Sequence, residues 1–153
     1  MVFGLIGTLL MPLAAATAQD ADHIPPVLVE HSDPEMTAAI AEAKRTLPQF
    51  LVILSSPPRG ATEFSIKYPL GGWEHIWVSD LVRSGNSISG KLANVPEQPE
   101  YHLGDLVSVP LASISDYAWR DKDGVMHGHL TTRVLLPHLT SDEAAEVRKF
   151  MGW

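Results

Sequence analysis

The residues best equipped for chemistry lie in Trp73-Glu74-His75-Ile76-Trp77. A carboxylate beside an imidazole has the composition of an acid–base pair, and histidine titrates near neutral pH. Neighbours in sequence meet only if the backbone brings them to one side. The stretch from Trp73 to about Arg83 is rich in aromatic and β-branched residues, which predicts a strand. Successive side chains of a strand leave by opposite faces. Trp73, His75, Trp77 and Leu81 then share one face, and Glu74, Ile76, Val78 and Val82 the other, so the local dyad fails on geometry. Both faces are largely apolar, so the strand is expected to be central and covered on both sides. At least one of Glu74 and His75 must then lie partly out of water and find a partner elsewhere, because an uncompensated buried polar group costs on the order of several kcal/mol.

Few residues can supply that partner. Asp116 alternates with Ile114 and Ala118 and points inward, while Tyr117 and Trp119 take the other face. Arg133 lies within an apolar segment, between Thr131-Thr132 and Val134-Leu135-Leu136. Asn94 and Asp105 flank a long loop. Glu74 or Asp116 with Arg133, or His75 with Asp116, would satisfy the chemistry. Such a cluster can be a lock that fixes sheet register and loop path. It can also be a site with shifted pKa values. As an enzyme of hydrolase or isomerase type, His75 would act as base, Asp116 would orient it and Arg133 would hold an anionic substrate. His127-Gly128-His129 has the spacing that sets two imidazoles on one strand face, with His75, His102 or an acid as a third metal ligand. No G-x-S-x-G and no cysteine supplies a nucleophile, no glycine-rich loop opens a helix, and no cofactor is expected. The tryptophans and Tyr117 are read first as core and second as a stacking platform for a ligand.

The elements that position these residues follow from period and punctuation. Ser32 and Glu35 have capping-box spacing and Pro34 suits a first turn. Met36, Ile40, Ala43, Leu47, Leu51 and Leu54 then form one stripe of a helix over about 33–54. Pro48 should kink or restart it, with Thr46 as a second cap. Phe64, Ile66 and Tyr68 alternate with Glu63, Ser65 and Lys67, a half-buried strand. Gly71-Gly72 and Ser84-Gly85-Asn86 turn the chain into a three-strand meander ending near Leu92. After the long loop come short strands at 106–110 and in 114–120, with one helical turn between them and a hairpin at Asp121–Gly124. Residues 125–136 stay open between strand and helix. Thr140 and Glu143 repeat the capping box before a helix at about 140–151. The fold class is α+β, a small antiparallel and strongly curved sheet flanked by an N-terminal and a C-terminal helix.

The chain of 153 residues is long enough for one domain with its own core. Its net charge of −7 and the lack of a basic cluster argue against nucleic acid and anionic lipid as partners. Residues 1–18 carry no charge and end in Ala16-Thr17-Ala18. That is the pattern of a secretory signal with cleavage after Ala18, although no Lys or Arg precedes the apolar run. The expectation is a periplasmic or secreted protein with no stable membrane insertion after cleavage, a linker over 19–31 and a domain over 32–153. With no cysteine it holds together by packing alone.

The pieces "AIAEAKRTLPQFL", "FSIKYPL", "EHIWVSDL", "ISGKLANVPE", "LGDLVSVPLASISDYAW" and "TTRVLL" occur in order from about Met36 to Leu136. Together they resemble the bacterial DUF2314 family, with Tyr117 where the family has tryptophan. The resemblance implies a small α+β fold and marks Glu74, His75, Trp77, Asn94, Gly104, Asp105, Asp116 and Arg133 as motif positions, without a catalytic role for any. The family's exported single-domain members and ankyrin-linked domains imply binding rather than metabolism. The resulting expectation is an exported, non-catalytic module that binds a protein or small-molecule ligand, with the enzyme and the metal-binding protein as alternatives.

Overall fold

The structure is a computed structural model that describes residues 33–153. The expected signal peptide, the linker and Ser32 lie outside the described residues. Helix α1 (Pro34–Ser55) is capped by Asp33, not Ser32: its carboxylate accepts from the Glu35 and Met36 amides at 2.7 and 3.3 Å. Proline fits the first helical position, so Pro34 sets the cap at the residue just before it. The helix also runs unbroken through Pro48. Pro48 is exposed, while Ala43, Leu47, Phe50 and Leu51 on either side of it are buried. The Lys44 carbonyl that loses its partner therefore faces solvent, and packing of the opposite stripe holds the axis. Thr46 is not a second cap; its hydroxyl donates to the Glu42 carbonyl at 2.8 Å.

Six strands follow: β1 (Thr62–Leu70), β2 (Glu74–Ser84), β3 (Ser87–Leu92), β4 (Leu106–Pro110), β5 (Asp116–Arg120) and β6 (Met126–Gly128). They form one open antiparallel sheet in the order β4-β3-β2-β1-β5-β6, so β1 and β2 are its centre. Two short helices complete the chain, α2 (Leu130–Leu135) and α3 (Ser141–Met151). One face of the sheet buries Ile66, Tyr68, Leu70, Ile76, Val78, Ile88 and Val109 with Leu47, Phe50 and Leu51 of α1. The other buries Ala118 and Met126 with Val147 and Met151 of α3, flanked by Trp77 and Trp153.

The alternation expected for β2 holds to Val78 and then breaks. Asp80 has φ +53 and the pairing with β3 shifts between Ser79 and Val82. The extra residue of a bulge reverses the parity after it. Leu81 therefore packs into the α1-side core rather than beside Trp77, and Val82 is 65% exposed. Trp73 lies just before β2, in the turn, and is 51% exposed. The ambiguous segment 125–136 is both things in succession, three residues of strand and then α2.

Candidate functional site

Asp116 opens β5 and is fully buried. Its register partner on β1 is Lys67, and Lys67 is also the partner of Trp77 on β2. Directly opposed residues share a face, so these three side chains converge beneath the centre of the sheet. The Asp116 carboxylate accepts from four donors: the Tyr117 amide at 2.8 Å, the Leu130 amide at 3.1 Å, and the Thr131 amide and hydroxyl at 2.8 and 2.6 Å. Two of these amides are first-turn donors of α2, which has no side-chain cap of its own. Lys67 Nζ donates to the Thr131 hydroxyl oxygen at 3.3 Å, leaving that hydroxyl's proton for Asp116. The ammonium also lies 5.4 Å from the Trp77 ring centroid. Burial pushes the Asp116 pKa up, opposed by the Thr131 donors, Lys67 and the Tyr117 amide. Burial pushes Lys67 down, with Asp116 opposing. Four donors around an acceptor-only group fit the carboxylate form.

His129 closes the other side of this cluster. It sits in the left-handed region at φ +50, its ring centroid 4.4 Å from that of Trp77 and its Nδ1 3.1 Å from the Thr132 hydroxyl. Burial first, and then Lys67, Arg133 and Arg120, lower its pKa to about 3. The imidazole is neutral at physiological pH. His127, two residues earlier, faces elsewhere. It stacks on Trp119 at 4.3 Å and pairs with Asp121 at 2.8 Å. Trp119 packs on the α1-side core while Trp77 joins the α3 side, so the two imidazoles take opposite faces. Strand ends at Gly128, whose φ is +77, and the shared face expected of His127 and His129 is lost there. A Cβ on Gly128 would lie 2.0 Å from the Tyr117 carbonyl oxygen, so the crossing point needs glycine. Among the described residues no three His, Cys, Asp or Glu side chains gather as a metal site would require.

Glu74 and His75 do look opposite ways. Glu74 accepts from the Glu97 amide at 2.8 Å and from Gln98 Nε2 at 3.1 Å, and Gln98 also donates to the Leu70 carbonyl. It thereby fastens the 93–105 loop to the β1–β2 turn. Asn94 accepts from the Trp77 amide at 3.2 Å, extending the ladder one step beyond the end of β3. Asp105 accepts from the His102 amide at 2.7 Å and closes the loop. His75 Nδ1 lies 2.9 Å from Ser115 Oγ, and that hydroxyl donates to the Lys67 carbonyl at 3.2 Å. With Nδ1 protonated, Ser115 accepts from the ring while donating to the Lys67 carbonyl.

Arg133 bonds neither Asp116 nor Glu74, although the Asp116 charge opposes the lowering of its pKa by burial. Residues 130–135 are helical, and this turns the side chain out of the sheet. It is exposed, its Nε reaches the Gly128 carbonyl at 3.4 Å and its guanidinium lies 3.6 Å from the Trp153 ring centroid. The cation beside Asp116 is Lys67, which strand alternation alone assigns to the polar face with Glu63 and Ser65. Its signal was its register opposite Trp77 and Asp116, which a sequence does not print. Arg120 was also not anticipated. It bonds Glu63 at 2.8 Å, the Gly124 carbonyl at 2.8 Å and the Phe150 carbonyl at 3.0 Å, joining β1, the hairpin and the end of α3. Among the described residues no buried side-chain nitrogen or oxygen lacks a partner.

Residues 33–153 match the family model DUF2314, described as an uncharacterized protein conserved in bacteria. No curated protein and no solved structure matches the chain.

Proposed function

The chain belongs to the DUF2314 family of bacterial proteins, and from that premise we propose that it is an exported, non-catalytic module that binds another protein. One observation carries the reading: its motif carboxylates serve the fold. Asp116 holds the start of α2, and Glu74 holds the 93–105 loop on the β1–β2 turn. A general acid or base needs an oxygen or nitrogen turned toward substrate, and these face backbone amides of the same chain. Beside the exposed carboxylates of Glu97 and Glu100, the arrangement presents apolar side chains outward. Trp73 in the turn and Val95 and Leu103 in the loop are 51, 68 and 52% exposed, at the one end of the sheet that Glu74 rigidifies. Aromatic and aliphatic anchors on a stiffened loop are what a protein partner buries at the centre of an interface.

A photo-crosslinking amino acid placed at Trp73 or Leu103 in living cells is expected to capture the same envelope protein from both sites. The same probe at Lys149, exposed on α3, should capture none. Equal capture at all three positions, or none at Trp73 and Leu103, overturns the reading. So does turnover by the purified protein that His75→Ala abolishes with the fold intact.

A further inference from the structure

The two edges of the sheet are finished differently. At one, β6 has three residues, and beyond it the His129 amide donates to the Tyr117 carbonyl at 2.9 Å, blunting the exposed part of β5. At the other, β4 ends the strand order, and among the described residues no strand lies beyond it. The direction of its backbone groups can be derived. The Leu92 amide donates to the Asp105 carbonyl, and the Leu111 amide to the Asn86 carbonyl. Between them the β3–β4 register is unbroken, pairing Gly90 with Val107 and Ile88 with Val109. Bonded and non-bonded pairs alternate along an antiparallel ladder. Val107 and Val109 therefore bond to β3, while Leu106 and Ser108 aim both N–H and C=O away from the sheet.

Soluble proteins protect such an edge with charge, a bulge or an early proline. Pro110, the last residue of β4 and its next outward position, brings no N–H and closes that end of the edge. The stretch Leu106–Val109 has neither charge nor proline, and Leu106 is 79% exposed. The chain leading into and out of the strand is of one sign. No Lys or Arg occurs between Lys91 and Arg120, whereas Glu97 and Glu100 are exposed and Asp105 directly precedes the strand. Lys91 itself, the register partner of Leu106, is paired with Asp80 at 3.0 Å.

We infer that the free edge of β4 accepts an extended, lysine- or arginine-bearing segment of a partner protein by strand addition. Leu106 and Ser108 supply the main-chain bonds, Leu106 an apolar contact, and the acidic loop the charge selection. A second copy of this chain is the poorer occupant, since it carries the same net charge of −7 to the contact. The inference rests on the binding-module reading and names the class of its partner.

The test uses the mature protein, amide NMR and two synthetic peptides of alternating valine and threonine, one flanked by lysines and one by glutamates. The lysine peptide should shift the Leu106 and Ser108 amides and protect them from exchange. It should bind roughly tenfold more tightly than the glutamate peptide. Ser108→Pro removes an outward N–H at an exposed edge position and should weaken binding roughly tenfold with the melting temperature retained. Leu106→Asp serves the same purpose should the proline variant fail to fold. Equal binding of the two peptides, or no protection of either amide, overturns the inference. So does protection without peptide: independent of concentration it means the chain covers its own edge, and concentration-dependent it means self-pairing. The crosslinks at Trp73 and Leu103 report separately on whether the protein is a binding module at all.

Discussion

Asp116 joins three pieces of chain with one carboxylate: its own strand, the first turn of α2 and, through the Thr131 hydroxyl, Lys67. Replacing it with asparagine sets an NH2 against amide donors and leaves the Lys67 ammonium without a counter-charge. Asp116→Asn should cost about 3 kcal/mol in urea unfolding. His129 makes the acid response of the fold predictable. Its pKa is about 3 when folded and near the ordinary 6.5 when unfolded. Between those values the unfolded chain binds the extra proton, so stability falls as pH drops from 6.5 toward 3. Asp116 has the opposite sign: raised in the native state, it takes its proton before the unfolded chain does and offsets part of that loss. His129→Asn keeps a residue that tolerates the left-handed backbone and removes the titrating ring. Its stability should be lower at neutral pH and flatter across the acid range, whereas Asp116→Asn should fall more steeply there. Denaturation curves at a series of pH values check both.

Helix α1 carries an internal proline on its wet side, so Pro48→Ala should restore the bond to the Lys44 carbonyl at little packing cost. A gain of about 1–3 kcal/mol, read as a higher melting temperature, is expected. The contrast shows which elements a sequence can declare. The capping box of Thr140 and Glu143 is present, with the Thr140 amide donating to the Glu143 carboxylate at 2.9 Å. The alternation of Phe64, Ile66 and Tyr68 against Ser65 and Lys67 also survives, because period 2 is local information. What is lost depends on distant registers. The bulge at Asp80 moved Leu81, and the start of α2 after Gly128 separated His127 from His129 and turned Arg133 outward. The candidate residues Glu74, His75, Asn94, Asp105 and Asp116 all have internal bonding partners. Those partners are mostly backbone amides, which no residue type advertises. Lys67, a half-buried residue with an enclosed ammonium, is hidden for the same reason.

Taken whole, the molecule is acidic, free of cysteine and, among the described residues, has no helix long and apolar enough to cross a membrane. The proposed export is argued from the sequence of residues 1–18 alone. Intact-mass analysis of the protein recovered from the cell envelope is expected to give a chain beginning at Gln19. A species retaining Met1 would count against export by cleavage. The dependence of α2 on a carboxylate from β5 also orders events in time. Six residues without a cap of their own cannot nucleate a helix alone. The acceptor they need is within reach only once β6 has paired with β5, so α2 follows that pairing in folding. In stopped-flow kinetics Asp116→Asn should therefore accelerate unfolding while leaving the refolding rate close to that of the parent.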